Sequence, residues 1–450
     1  MAFQLLDQDR LRGFHNRLTL LSAAGMFLDG FDLTVIAVAL PLLVKQWQIS
    51  AGLTGLVGAS AVIGMLVGSL LLGHLTDRIG RRAMYLVDLL FFVVFAALTA
   101  LSQNVWELLL FRFLLGVGIG ADYPISSTLL AEFSPTRRRG RMVTALGAMW
   151  FVGAAAAYVV GLLMLPLGAV AWRWMMMVGA GLALIAILFR ASIPESPRWL
   201  ASRGREAEAQ DVLQKVTGER PRNVSGVAPR RWADLFSPNL IRRTIFVATF
   251  WFCYDVAFYG ISIYTPTVLK TFTSGSQVLA DVGAAAISIL GVLGAAIGLG
   301  LVDRWGRRPL MLWAFGGLTL VLAILASVPT PALGLLVALF GLAELFANMG
   351  PGVLDFVYPT ELFPAGVRAG ATGLFTAVSR VGAILGIVVF PGLVKAWGLG
   401  NALWLFAAAS LLGLVVSAIL APETRGRSLE EISEGSGRSA GMDEPVVARL

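Results

Sequence analysis

The chain has 450 residues, of which 57% are hydrophobic and only 14% charged, and this is far too apolar for an ordinary water-soluble globule. Its net charge of +8 would point to nucleic acid in a soluble protein. Here the basic residues sit in short connections between apolar runs, so the composition predicts a polytopic membrane protein with no nucleic-acid partner.

Residues 1–17 are polar and charged, and the apolar run after them is too long and too acidic for a cleaved signal peptide. They read as a retained cytoplasmic segment. Apolar windows of about 20 residues, each long enough to span a bilayer, follow at 18–44, 52–75, 83–101, 107–131, 142–165 and 172–192. A second set falls at 244–268, 278–301, 309–327, 332–357, 369–393 and 400–421. The expected fold is all-α, with twelve transmembrane helices in two six-helix bundles, 18–192 and 242–421. A polar central loop, 193–241, separates the bundles and is expected to carry a surface helix over 203–216. The Gly-, Ser- and Glu-rich tail, 422–450, reads as largely disordered.

Connections on one side carry Arg78, Arg81, Arg82, Arg137, Arg138, Arg139, Arg141, Arg304, Arg307, Arg308 and Arg368. Those on the other side offer only Lys45, Arg173, Lys270 and Lys395. The positive-inside rule therefore puts both termini and the central loop in the cytoplasm of a cell carrying the protein in its plasma or inner membrane. The halves echo one another. DRIGRR at Asp77 recurs as DRWGRR at Asp303, an offset of 226, and Asp29 maps onto Asp255 at the same offset. EFSPTRRRGR from Glu132 recurs as ELFPAGVRAG from Glu361 at 229, and PESPRW at Pro194 as PETRGR at Pro422 at 228. Such a duplicated unit is the arrangement of carriers whose halves rock about a central site.

GHLTDRIGRR, RFLLGVGIGADYP, PESPRWL and PETRGRSLEE together resemble the major facilitator superfamily over nearly all of the chain. Sugar porters share the last two motifs, but the glutamine-rich pattern expected of their seventh helix is replaced by WFCYDVAFYG. That segment, with ADYP in span four and DGFD in span one, is similar to the phosphate:proton symporter branch. SRVGAIL resembles both that branch and the organic-ion transporters. The resemblance implies substrate contact by Tyr123, Trp251, Asp255 and Tyr259. Arg380 stands where that branch carries a lysine, and Trp150 where it carries a glutamine, so a small organic anion is expected as readily as phosphate.

The residues make their own case. Asp255 lies midway along an apolar stretch, 244–270, with Trp251 and Tyr259 one helical turn to either side on the same face. A carboxylate at that depth costs roughly 2.5–3.5 kcal/mol on insertion scales and normally faces a cavity or a partner. Asp29, Asp32, Asp122, Asp255, Glu344 and a single base, Arg380, fall near mid-span, and the expectation is that they converge on one hydrated chamber. Burial disfavours the charged carboxylate, so Asp29, Asp32 and Asp122 are read as carrying the coupling proton. Arg380 offers a planar fork for an anion, the alternative being a counter-ion to Asp255 or Glu344. Trp150, Tyr158 and Tyr264 read as helix packing. Asp77, Arg78, Arg81, Arg82, Glu132 and Arg141, with Asp303, Arg304, Arg307, Arg308, Glu361 and Arg368, are read as a latch closing the inner gate; the alternative is an orientation signal alone. Gly64, Gly68, Gly116 and Gly120 have the small-xxx-small spacing of closely packed helices.

Cys253 is the only cysteine and His15 and His74 stand far apart, so neither a metal nor another cofactor is expected. A nucleotide-binding GxxxxGK loop, a GxSxG elbow and a CxxC pair are all missing, which argues against an enzyme and for energy from an ion gradient. The reading is a monomeric proton-coupled symporter for a small anionic metabolite or phosphate, with a sugar or other neutral or cationic metabolite porter and a transporter-like receptor as alternatives.

Overall fold

The structure is a computed structural model and describes residues 2–8, 11–190, 193–221, 223–224, 232–274, 276–328 and 332–434. Eleven helical stretches among the described residues are long and apolar enough to cross a membrane. The longest, Arg139–Leu188, holds two crossings, because its backbone leaves the helical region at Gly168 (φ 66°). It starts at Arg139 beside Glu361 and returns to the same end, where the Trp199 indole donates to the Asp77 carbonyl oxygen. The chain thus makes the twelve crossings that the windows imply.

The N-terminal half comprises α1 (Arg12–Trp47), α2 (Ala51–Ile79), α3 (Arg81–Leu101), α4 (Val105–Phe133), α5 (Arg139–Met164) and α6 (Ala171–Arg190). Two short helices, α7 (Pro197–Ser202) and α8 (Glu206–Thr217), occupy the connection. The C-terminal half comprises α9 (Ile241–Ser262), α10 (Thr265–Phe272), α11 (Gln277–Trp305), α12 (Arg307–Ser327), α13 (Leu333–Met349), α14 (Pro351–Leu362) and α15 (Arg368–Leu420). α15 makes two crossings about a break at Gly398 (φ 80°). Several helices outrun their apolar windows because polar first and last turns project beyond the hydrocarbon. Starts are set by side-chain caps: Ser50 Oγ accepts from the Leu53 N–H, and Asn104 Oδ1 from Trp106 and Glu107. Leu20, Leu71, Leu163, Leu188, Trp313 and Ile419 point outward, as a lipid-facing surface requires.

The tail departs from the sequence expectation as far as Glu434. A helix, α16 (Leu429–Glu434), forms there, and the Glu423 carboxylate accepts from the backbone N–H groups of Arg307 and Arg308. Composition suggested disorder, but a carboxylate placed over the free N–H groups of a helix start fixes the segment. Residues 435–450 lie outside the described residues.

Glycines set the distances between helices. A Cβ on Gly64 would lie 2.0 Å from the Phe113 carbonyl oxygen, and one on Gly116 2.0 Å from that of Ala61, so α2 and α4 touch backbone to backbone. Gly116→Leu is therefore expected to abolish the monodisperse peak in size-exclusion chromatography. Gly300→Leu, where a Cβ meets nothing within 4 Å, leaves that peak intact.

Candidate functional site

Two small cavities that share part of their lining lie where the halves meet. The first, of about 20 Å³, is lined by Tyr123, Trp150, Phe151, Tyr254, Asp255, Phe258, Tyr259, Gly352, Asp355, Phe356 and Arg380. It depends on close approach of α9 and α15: a Cβ on Gly382 would come 2.5 Å from the Phe252 carbonyl oxygen, and one on Gly386 2.6 Å from that of Val256. That approach brings Arg380 to Asp255. Arg380 Nη2 is 3.3 Å from Asp255 Oδ2, and Nη1 donates to the Tyr259 hydroxyl at 2.7 Å. The guanidinium carbon also lies 5.3 Å from the centre of the Tyr123 ring and 5.1 Å from that of Tyr259, within cation–π range. Asp355 Oδ1, Arg380 Nε and Trp150 Nε1 have no hydrogen-bond partner among the described residues. Polar atoms left over in a buried site mark where a ligand or water completes the bonding.

The second cavity, of about 40 Å³, lies further along α5 and α9 from their N-termini and is lined in part by Leu33, Thr34, Trp150, Tyr158, Tyr259, Ser262, Ser288 and Glu344. Glu344 accepts from the Ser262 hydroxyl at 2.5 Å and the Asn348 amide at 2.9 Å. The counter-ion of Arg380 is thus Asp255, and Glu344 belongs to a separate polar group. Trp150, Phe151, Phe258 and Tyr259 line both cavities. Ring centroids 5.0 Å apart for Trp150–Phe151 and 5.9 Å for Trp150–Phe258 make an edge-to-face wall between them. Trp150 and Tyr158 thus line a cavity as well as being buried in the helix packing expected from sequence. Tyr264 does pack, against Phe390. Trp251 is wholly buried against Phe356 and lines neither cavity, and its indole N–H has no hydrogen-bond partner among the described residues.

The single chamber expected for all the acids does not form. Asp29 and Asp122 turn into the N-terminal half, where they line a niche with Asp88. Arg190 closes that group, 3.2 Å from Asp122 and 3.8 Å from Asp88, and lies over the Tyr85 ring at 3.9 Å. Asp32 sits apart beside α4 and α6: Arg112 Nη2 donates to its carbonyl oxygen at 3.2 Å, and neither carboxylate oxygen has a hydrogen-bond partner among the described residues. Arg380 therefore shares the bundle interior with two further buried arginines, Arg112 and Arg190, among the described residues. α6 carries Arg190 inward on a face lined by Gly25, where a Cβ would collide with the guanidinium.

The echoed loops, expected from sequence to act as a latch, form paired ion-pair clusters at the end carrying the termini. Arg81 reaches Asp77 at 3.0 Å and Glu132 at 3.5 Å; Arg307 reaches Asp303 at 3.0 Å and Glu361 at 2.9 Å. Polar contacts also cross between halves, among them Arg368 to Glu132 at 3.0 Å, Arg139 to Glu361 at 4.0 Å, Arg81 Nη2 to the Ala365 carbonyl oxygen at 3.3 Å, the Gly370 N–H to Asp77 Oδ2 at 2.6 Å, and the Arg141 N–H to Asp303 Oδ2 at 2.9 Å. Arg141 therefore acts through its backbone, and the side chain equivalent to Arg368 is that of Arg139, which the offset of 229 also relates. Arg78, Arg82, Arg304 and Arg308 are exposed around the rim and outside the buried pairs. Gly80 (φ 120°) and Gly306 (φ 98°) supply the turns that a side chain would strain.

Asp355 went unnoticed in the sequence because it falls at the end of a window read as one straight helix. Gly350 and Pro351 interrupt that helix, and α14 restarts with Pro in its first turn. The Gly-Pro pair was the available signal.

A family described as "Sugar (and other) transporter" matches residues 18–435. The chain is 36% identical over 438 residues to the putative metabolite transport protein YaaU of Escherichia coli K12, covering 97% of this chain and 98% of that one. It is 29% identical over 506 residues to the probable inorganic phosphate transporter 1-6 of Arabidopsis thaliana, covering 98% of each. Its fold is similar to that of the proton:xylose symporter XylE of E. coli bound to 6-bromo-6-deoxy-D-glucose, with a TM-score of 0.80 at 24% identity, covering 93% of this chain and 98% of that one.

Proposed function

The chain belongs to the Sugar (and other) transporter family, and on that footing we propose that it is a proton-coupled symporter for a small organic anion bearing a flat, unsaturated ring. It is a multi-pass membrane carrier and not an enzyme. The observation that carries the finer reading is the contrast within one buried cavity: a guanidinium held by Asp255 and Tyr259 on one side, and a wall of Trp150, Phe151 and Phe258 on the other. The guanidinium suits a carboxylate, and the wall suits a ring.

Charge supports coupling. Asp255 and Asp355 share the cavity with one guanidinium, so two carboxyl groups already face a single positive charge. An entering anion contests Arg380 with Asp255, and a second buried negative charge is too costly to leave unanswered. A proton arriving on the displaced Asp255, or on Asp355, restores the balance. Asp29, Asp32 and Asp122 are proposed as a second proton-holding place within the N-terminal half.

Inorganic phosphate is the second reading. It is favoured by the same donors from Tyr123, Tyr259 and Arg380 and by the phosphate-transporter relative. Trp150 makes it secondary, because an indole contributes one N–H donor and no acceptor. The arginine-rich loops support a cytoplasmic side for both termini and the latch, and the carrier is read as a monomer.

Uptake into proteoliposomes of labelled benzene- and pyridine-carboxylates, phosphate and xylose tests the choice. Carboxylate uptake that collapses with a protonophore is expected; xylose uptake indifferent to the protonophore overturns the proposal. Arg380→Lys should raise the KM for the carboxylate at least tenfold with membrane yield unchanged. An unchanged KM would leave Arg380 a structural counter-ion.

A further inference from the structure

We propose that the cavity at the latch end, between the N-terminal segment, the α4–α5 connection and the C-terminal tail, binds a phosphorylated anion that holds the two halves together. This cavity has a volume of about 570 Å³, within the range of small-molecule sites, and is separate from the transport path. Arg12, Arg137, Arg138 and Arg198 line it with His15, against one carboxylate among the described residues, Glu431.

The arginine run of the α4–α5 connection divides in a way that latch chemistry does not explain. Arg139 is buried against Glu361, whereas Arg137 and Arg138 are exposed and line the cavity. An orientation signal requires positive charge near the membrane but does not require a concave site. Arg198 is fixed in the wall by donating to the Glu132 carbonyl oxygen and by lying over the Phe3 ring at 4.8 Å. Guanidinium groups gathered around a hollow of this size match a polyanion with several equivalent oxygens, since each can fork onto two of them.

Location gives the consequence. Three walls lie on the N-terminal side: the N-terminal segment with the start of α1, the α4–α5 connection, and Arg198 of α7, which is tied to that half through Glu132. The fourth, from Gly426 to Glu431, is tail that is tied to the C-terminal half through Glu423 on Arg307 and Arg308 and through Thr424 on Glu361. Arg139 also donates to the Arg427 carbonyl oxygen at 3.3 Å. An occupant touching the arginines and the tail together fits only while the latch is closed, so its binding favours the closed latch over the open one. Only this consequence rests on the carrier reading; binding itself does not.

The test uses the full-length protein in phosphatidylcholine nanodiscs at about 0.15 M salt, where loose surface attraction is screened, with tripolyphosphate as the probe. Calorimetry should show saturable binding that weakens at least tenfold in the double variant Arg137→Gln/Arg138→Gln and in Ser428→Glu, which puts a carboxylate into the tail wall. Hydrogen exchange over 363–372 should slow on addition in the wild type and stay unchanged in both variants. A second arm replaces a third of the phosphatidylcholine by phosphatidylglycerol. Protection of 363–372 by that lipid alone, lost in the variants, assigns the same site to a headgroup phosphate. Absence of saturable binding and of protection in both arms, or equal effects in wild type and variants, overturns the site. A protein that binds tripolyphosphate but transports none of the tested solutes leaves this site standing and removes the proposed substrate.

Discussion

Asp255→Asn is expected to abolish concentrative uptake, by at least a hundredfold, in a protein that still inserts and runs as a single species. The substitution keeps the shape of the side chain and removes its charge, so the cavity walls change little. Arg380 loses the ion pair at 3.3 Å but keeps the Tyr259 hydroxyl at 2.7 Å and the flanking rings of Tyr123 and Tyr259. Stripping one partner from a buried pair commonly costs about 3–5 kcal/mol, and these remaining contacts reduce that cost. Binding of the anion should survive, because Arg380 no longer has a competing carboxylate. Proton-driven accumulation should not, since the group that exchanges an arginine for a proton has gone. Exchange of labelled for unlabelled substrate across proteoliposomes, set beside accumulation under an imposed pH gradient, separates the two effects. Asp355→Asn serves as the companion, with accumulation reduced and exchange retained. Full accumulation by Asp255→Asn would remove this residue from the coupling site.

The fold was legible because a bilayer permits few solutions. Apolar windows, the one-sided distribution of arginines and the repeated motifs each constrain the chain independently, and the twelve crossings follow. The ion pairs of the echoed loops were legible in outline for a similar reason: acids accompany bases in both halves at nearly constant offsets. What sequence did not reveal was side-chain direction. Asp29, Asp122 and Asp255 stand at comparable depth, yet rotation of α1 and α4 turns the first two toward Arg190, and only Asp255 meets Arg380. Trp150 and Trp251 look equivalent as aromatic residues in apolar runs. Packing puts the first in the cavity wall and the second behind Phe356. Arg139 and Arg141 are two residues apart, and the local turn decides which one uses its side chain and which its backbone N–H.

That last distinction makes the latch testable. The double variant Glu132→Gln/Glu361→Gln should shift the carrier toward the state open at the latch end. In the closed state Glu132 faces Arg81 and Arg368, and Glu361 faces Arg307 and Arg139, all of them buried. Neutral amides weaken the charge pairing of those guanidiniums in a dry seam, Arg81 and Arg307 keeping Asp77 and Asp303, whereas opening lets water reach them, so the closed state loses more than the open one. Even 1.4 kcal/mol of that difference moves the equilibrium tenfold. Ser69 reports the change: it is wholly buried on α2, and its carbonyl oxygen lies 2.3 Å from where a Cβ on Gly373 of the opposite half would be. With Ser69→Cys as the probe and the buried Cys253 as the only other thiol, a membrane-impermeant thiol reagent applied from the latch side should label the double variant at least ten times faster than the parent. Arg139→Ala should accelerate labelling as well. Arg141→Ala should not, because its contribution is an N–H that alanine also has. Equal labelling in all four proteins would reduce these charges to a signal for orientation, with closure at that end left to the glycine-lined seam between α2 and α15.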